Sequence, residues 1–502
     1  DVIMLYLESF GNPRKFGRVT PEVARRKPIV AVKSGRSTAG SRAASSHSAA
    51  LASPDLAVEA LFEQAGVIRT DTPEQLLDVV MLLSSQPIPA GPRVGVITNA
   101  GGPGILLADA CEVHGLELPE FSSGTIDNLR TFLPFQAGMA NPIDMIASAT
   151  PEQYARAVEV VGSDPKIDSL IIIYLPPHLH PPEEVTQALG RAAATVPAHK
   201  PVLTVFMSAK GLAPVVAEGT RGRLPCYGFP ENAALALSAA ERYGRWRQRP
   251  RGNILALDTS ARSAIRAAVH RVLDTESGGS VWLEPTDLAA ILKAAGVDFA
   301  PAKETDISQA AAVAERMGYP LVLKAVSEQI LHKSDVGGVV LGIRSREQLL
   351  AAVETMSGRL AAAGIDLRRV LLQREIGGGI EALVGVTTDP TFGPLVVCGL
   401  GGVLVELLQD AAFRIPPVSD IDAGAMLDKL RARRLLDGYR GRPPGDREAL
   451  ILMIQRISAL IELIPEMKEL DLNPVKVLVP GSGAVVVDAR LRLSSGSDQQ
   501  NI

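Results

Sequence analysis

An α/β fold built on parallel sheets is what this sequence predicts, and three observations predict it. Short runs of Val, Ile and Leu recur, at residues 28–32, 94–98, 169–174 and 201–206. Gly or Pro marks a turn after such runs, and an Ala/Leu-rich stretch of helical period follows. Near-continuous apolar strands that alternate with helices are strands buried on both faces, which is the pattern of parallel sheets in α/β layers.

The 502 residues correspond to three or four domains at roughly 150 residues each. Apolar residues make up 46% and charged residues 21%, a globular composition that excludes a disordered chain. Lys and Arg number 51 against 55 Asp and Glu, so bulk charge offers no attraction to nucleic acid or to an anionic membrane. Cys111, Cys226 and Cys398 lie far apart and form no CxxC pair, which argues against a disulfide framework and fits a reducing cytoplasm. No run of about 18 apolar residues exists, so no membrane span is expected. Residues 2–7 already read as a strand directly behind Asp1, so the sequence is expected to be a fragment or a processed product.

Breaks in the pattern divide the chain in order. The first unit, 1–88, ends at the Pro/Gly stretch 86–92. The second, 92–250, closes with the polar, Arg-rich stretch 245–252. Gly278 and Gly279 make a joint before the third unit, 281–493. The polar tail 494–502 is expected to be disordered.

Three stretches carry chemistry. In the first unit, a strand runs into Lys33-Ser34-Gly35-Arg36 and a small-residue loop that holds His47. An accessible neutral imidazole is a competent nucleophile towards phosphorus, although a surface loop with an incidental histidine gives the same pattern. In the second unit, Asn99-Ala100-Gly101-Gly102-Pro103-Gly104 joins a strand to a helix. Such a turn either presents backbone N–H groups to an anion or is simply tight.

In the third unit, Lys324 ends an apolar strand ahead of a loop with His332, Asp335, Gly337 and Gly338. A lysine there is a point charge suited to nucleotide phosphates. Further on come Gln373-Arg374-Glu375-Ile376, Glu381, the run 389–394 and the glycine-rich 399–406. Asp471 and Asn473 are two apart, so an extended backbone points both to one side. With Asp488 they supply hard oxygen ligands suited to Mg²⁺. His178 and His180 could ligate a metal only with a third ligand, and none is evident. His114, His199 and His270 fall in no motif.

Taken in order, these motifs resemble the NDP-forming acyl-CoA synthetase superfamily, which includes ADP-forming acetate–CoA ligases and is related to succinyl-CoA synthetase. The resemblance covers essentially all of residues 1–493. It implies two flavodoxin-like ligase domains followed by an ATP-grasp domain. It further implies the reaction acyl-CoA + ADP + phosphate ⇌ carboxylic acid + CoA + ATP. His47 would be the phosphohistidine on a swinging loop, and Glu8 would hold its ring. Asn99, Gly101, Gly102 and Gly104 would present the helix start to the phosphoryl group. Lys324, Gln373, Glu375 and Ile376 would bind nucleotide, and Glu381 would contact the ribose or the metal, unless it is a surface carboxylate. Mg²⁺ would sit on Asp471, Asn473 or Asp488. His332 would be either a second phosphoryl carrier or a phosphate-binding loop residue. ATP/ADP, Mg²⁺ and coenzyme A are the implied cofactors, with a small carboxylic acid, acyl-CoA and phosphate as partners and a homodimer as the assembly.

The sequence departs from the family pattern in three places. The CoA-binding N-terminal domain and the first half of the first flavodoxin-like domain are absent, so this chain alone is not expected to bind CoA well. Ser48-Ala49 follows His47 where many members have Thr-Gly, a change expected to be mild. Two other readings stand beside the ligase: an acyl-CoA-sensing portion of a GNAT-type protein acetyltransferase, and an ATP-grasp carboxylate ligase that uses no phosphohistidine.

Overall fold

A computed structural model describes residues 2–35, 55–176, 182–207, 215–219, 222–275, 279–327, 337–401 and 410–494. The chain forms two compact units, Asp1–Pro250 and Arg251–Ile502.

The first unit carries strands β1 (Ile3–Leu7), β2 (Ile29–Lys33), β3 (Val67–Thr70), β4 (Val94–Thr98), β5 (Ile143–Asp144), β6 (Ser169–Tyr174), β7 (Val202–Phe206), β8 (Val215–Gly219) and β9 (Gly222–Tyr227). Its helices are α1 (Pro13–Ala24), α2 (Asp55–Ala65), α3 (Pro73–Ser85), α4 (Gly101–Val113), α5 (Ser123–Arg130), α6 (Pro151–Gly162), α7 (Pro182–Ala193) and α8 (Pro230–Gln248). Strands β1, β2 and β3 make a small parallel sheet in that order. The larger sheet runs β5-β4-β6-β7-β9-β8 and is parallel except for β8.

The apolar runs form strands because both faces are covered. Along β6, Leu170, Ile172 and Tyr174 enter one core, while Ile171 and Ile173 enter another. That second core draws on both sides of the 86–92 break. Val30, Val32, Ile68, Val79 and Leu82 pack in it with Val94, Leu107 and Tyr243. The stretch rich in Pro and Gly is therefore a turn within one packed body.

The second unit is antiparallel, unlike the first. Strands β10 (Ser280–Trp282), β11 (Ala302–Asp306), β12 (Leu321–Val326), β13 (Val339–Ile343), β14 (Arg369–Arg374), β15 (Ile380–Asp389), β16 (Gly393–Leu400), β17 (Ala411–Arg414), β18 (Met467–Val477), β19 (Ala484–Val486) and β20 (Ala489–Ser494) make two sheets. One is ordered β11-β14-β12-β13; the other is β10-β20-β18-β15-β16-β17, with β19 beside β18. Helices α9 (Thr259–Thr275), α10 (Pro285–Ala294), α11 (Ala310–Met317), α12 (Arg346–Ala362), α13 (Asp420–Lys429) and α14 (Arg447–Leu463) complete the unit. One antiparallel pair is a tight hairpin. The Asp389 carboxylate accepts the N–H groups of Thr391 and Phe392, both at 2.8 Å, and turns β15 directly into β16. Among the described residues, no helix is long and apolar enough to cross a membrane.

One glycine ties the first unit together. Gly66 has φ +69°, and a Cβ there would lie 2.4 Å from the Trp246 ring of α8. Gly66→Ala is expected to lose at least the about 1–3 kcal/mol that left-handed strain alone costs, read as a fall in the denaturant midpoint. An unchanged midpoint would mean that α8 does not pack there.

Candidate functional site

The first candidate site is built where β4 ends. Thr98 Oγ1 accepts the Ala100 N–H at 3.0 Å and donates to the Ala100 carbonyl at 2.9 Å, which makes the turn tight. Asn99 is buried, and its amide works in both directions on the end of β6. Its Oδ1 accepts the Leu175 N–H and its Nδ2 donates to the Leu175 carbonyl, each at 2.9 Å. The tie sits where the strand order reverses around β4, the place at which open α/β sheets bind ligands. Asn99 thus holds the turn, while the groups open to an anion are main-chain ones.

Helix α4 starts bare. Its N-cap, Ala100, gives no side-chain hydrogen bond, whereas α6 is closed by the reciprocal Thr150 and Gln153 pair. Pro103 has no N–H, and Gly104 N–H reaches the Ala100 carbonyl at 3.4 Å. The N–H groups of Gly101 and Gly102 have no partner among the described residues. They lie at the positive end of a helix 13 residues long.

The structure adds a residue that the sequence reading passed over. Asp144, at the end of β5, sits so close that a Cβ on Gly101 would lie 3.1 Å from its Oδ2. Its Oδ1 accepts the Ile146 N–H at 3.0 Å, and its backbone exchanges two bonds with Gly138. Ile146 has φ 64°, a left-handed conformation that is a genuine outlier for a β-branched residue. Asn141, three residues earlier, anchors this segment. Its amide accepts the Val96 N–H at 3.0 Å and donates to the carbonyls of Val94 and Pro119, at 2.8 and 3.0 Å. The site therefore pairs two N–H donors with one acceptor carboxylate, which suits an anion that still carries a proton.

Glu8 lies exposed just past β1, and its carbonyl accepts Lys33 Nζ at 2.8 Å. His47, the proposed nucleophile, lies outside the described residues, as do His332, His178 and His180.

The second candidate site is in the second unit, at the turn between β19 and β20. Lys324, buried on β12, directs Nζ to the Val487 carbonyl at 3.3 Å and to Asp488 Oδ1 at 3.4 Å. Gln373, buried on β14, donates Nε2 to the same carbonyl at 2.9 Å. Its Oε1 is buried with no partner among the described residues. From the other side, Asn473 N–H reaches the Asp488 carbonyl at 3.1 Å and Val487 N–H reaches the Pro474 carbonyl at 2.9 Å. The structure thus brings together Lys324, Gln373, Asn473 and Asp488, from both sheets of the unit.

Asp471 and Asn473 share the less buried face of β18, alternating with Leu470 and Leu472 in the core. Glu375 and Ile376 lead out of β14, where Glu375 N–H bonds the Pro320 carbonyl at 3.1 Å. Glu381 is not part of the cluster. It pairs across the strands with Lys476 at 2.9 Å. Among the described residues, no group of three or more His, Cys, Asp or Glu gathers for a metal. The oxygen donors Asp471, Asn473 and Asp488 nevertheless fit Mg²⁺, which takes one or two carboxylates and completes its shell with phosphates and water.

Known families match this arrangement along the chain. The succinyl-CoA ligase like flavodoxin domain matches residues 1–83, the ligase-CoA domain 94–241 and the ATP-grasp domain 274–493. The ADP-forming acetate–CoA ligase I of Archaeoglobus fulgidus is 37% identical over 498 residues, covering 98% of this chain and 70% of that one. The chain belongs to the NDP-forming acyl-CoA synthetase superfamily. It is a ligase of two flavodoxin-like domains followed by an ATP-grasp domain. The ADP-forming 4-hydroxybutyrate–CoA ligase of Nitrosopumilus maritimus is 31% identical, again over 98% of this chain and 70% of that one. Among solved structures, the acetyl-coenzyme A synthetase 1 of Ca. Korarchaeum cryptofilum in complex with phosphate and ADP is similar over 49% of this chain and 53% of that one. The identity is 32% and the TM-score 0.46. These matches lend no support to the acetyltransferase-fused reading.

The two glycines of this ligase's α4 start separate stability from access. A Cβ at Gly102 meets nothing within 4 Å, whereas one at Gly101 meets Asp144. Gly102→Ala is expected to be neutral or to gain up to about 1 kcal/mol from helix propensity. Gly101→Ala is expected to be the less stable of the two. Equilibrium denaturation of both variants checks that order.

Proposed function

We propose that this ligase interconverts acyl-CoA, ADP and phosphate with a carboxylic acid, CoA and ATP, and that His47 carries the phosphoryl group. The observation that carries the reading is the gathering of Lys324, Gln373, Asn473 and Asp488 around one turn of the ATP-grasp domain. It supplies a buried cation and hard oxygen donors where a nucleotide phosphate needs them. The named relatives, ADP-forming ligases of acetate and 4-hydroxybutyrate, support the reaction class.

Each residue has a stated task. The Gly101 and Gly102 N–H groups stabilise the phosphoryl group in the first unit, with Asn99 and Gly104 shaping the turn. Phosphoryl transfer needs positioning and charge stabilisation more than covalent chemistry, and preorganised backbone donors provide both. Glu8 holds the second ring nitrogen of His47 and fixes its tautomer. Lys324 takes the nucleotide phosphates as a point charge, its present partner Asp488 being half-exposed. Gln373, Glu375, Ile376 and Glu381 line the nucleotide, and His332 contacts its phosphates or takes the phosphoryl group in turn. Mg²⁺ bound at Asp471, Asn473 and Asp488 would neutralise phosphate charge. Cytoplasmic work as a homodimer completes the reading and rests on family resemblance.

Incubation of the full natural chain with Mg²⁺ and γ-labelled ATP tests it. Acid-labile, alkali-stable label is expected on the wild type and absent from His47→Ala. Lys324→Met is expected to slow labelling roughly 100–1,000-fold, the scale of losing one preorganised electrostatic contact to a transferring group. ATP turnover without bound label would instead favour the carboxylate ligase that needs no phosphohistidine.

A further inference from the structure

Asp144 ends β5 between two fully buried residues, Ile143 and Met145, which share one core. Side chains alternate along an extended segment, so the carboxylate points away from that core. The register sets Asp144 opposite Thr98, and Met145 N–H donates to the Thr98 carbonyl at 2.8 Å. Oδ2 thereby reaches the start of α4, 3.1 Å from where a Cβ on Gly101 would lie. The carboxylate is also held still. Asp144 N–H donates to the Gly138 carbonyl at 3.2 Å, and the Asp144 carbonyl accepts Gly138 N–H at 2.9 Å. Oδ1 accepts the Ile146 N–H at 3.0 Å, with Ile146 kept in its left-handed conformation. Strain of that kind persists only where the surroundings over-determine it.

What remains is one acceptor beside two donors. Among the described residues, Oδ2 accepts no hydrogen bond, and the N–H groups of Gly101 and Gly102 make none. A bare helix start on its own takes phosphate and sulfate alike. Both are tetrahedral anions of nearly equal size, so shape does not separate them. A carboxylate fixed beside the donors does. Inorganic phosphate keeps a proton near neutral pH and can donate it to Oδ2 in a charge-assisted hydrogen bond. Sulfate keeps no proton there, so its oxygens would meet Oδ2 as acceptor against acceptor and charge against like charge.

We propose that Asp144 is a specificity-determining residue, which makes the α4 start select hydrogen phosphate over sulfate by accepting a hydrogen bond from the phosphate's own proton. The proposal rests on the reading of the α4 start as the phosphate site of the first unit, and every group it uses belongs to a described residue. Losing a hydrogen bond to a charged group and leaving that group unpaired sets the scale of the selection at roughly 10–100-fold.

The test is equilibrium dialysis of radiolabelled phosphate with the full natural chain, competed by unlabelled phosphate, arsenate or sulfate. It needs no turnover and is independent of the labelling of His47. Arsenate carries a proton as phosphate does and is expected to compete about as well as phosphate on the wild type. Sulfate is expected to compete roughly 10–100-fold more weakly. Asp144→Asn keeps the shape and an oxygen for the Ile146 N–H, and it puts an amide donor where Oδ2 was. In that variant the preference is expected to fall to near parity, with sulfate competing better than on the wild type. The wild-type series decides by itself should Asp144→Asn fold poorly. Sulfate that matches arsenate on the wild type, or a preference that survives Asp144→Asn, overturns the proposal. Phosphate binding that is lost in Lys324→Met and unaltered in Asp144→Asn belongs to the second unit and overturns it as well. A wild type that binds no phosphate overturns the phosphate-site reading and the Asp144 proposal together.

Discussion

Two hydrogen bonds between the Asn99 amide and the backbone of Leu175 determine how the working end of the first unit is laid out. A parallel sheet releases its backbone groups where strands end, and buried ones must find partners. Asn99 supplies both partners for Leu175 at once. The chain can then leave β4 in a single turn and begin α4 on glycine, with backbone N–H groups facing outward. Each such bond contributes about 0.5–1.5 kcal/mol net, so the tie also helps to keep the turn in place.

The second unit solves a similar problem at the Val487 carbonyl. One oxygen receives the ammonium of Lys324 and the amide of Gln373, both from the sheet opposite its own. Holding the sheets together and gathering charge are here the same act. The polar groups that would otherwise weaken the packing are the ones suited to phosphate and metal. In both units, buried polar groups are met at strand ends, and what is left over there is available for chemistry.

Much of this was legible in the sequence. Runs such as 94–98 and 169–174 announce strands because two-sided burial removes the polar alternation. The glycines at 101–104 announce a tight strand-to-helix turn because few other residues leave backbone so open. The order of Lys324, Gln373, Asp471, Asn473 and Asp488 was readable as a motif, though not the turn that gathers four residues at Val487 and Asp488. Other features left no sequence trace. Asp144 acts from a neighbouring strand 43 residues beyond Gly101, a distance only the register Thr98 to Asp144 closes.

The core that spans residues 86–92 has a practical meaning for anyone who would divide the protein. A protease or a designer would choose that stretch, since Pro87, Pro89 and Pro92 look like a hinge between modules. A cut there would leave Val79 and Leu82 on one piece and Val94, Leu107 and Tyr243 on the other, each an oily face in water. Such pieces would clump or find each other again, as the halves of a split reporter do. The place where the chain is easiest to read as two parts is therefore a poor place to separate it.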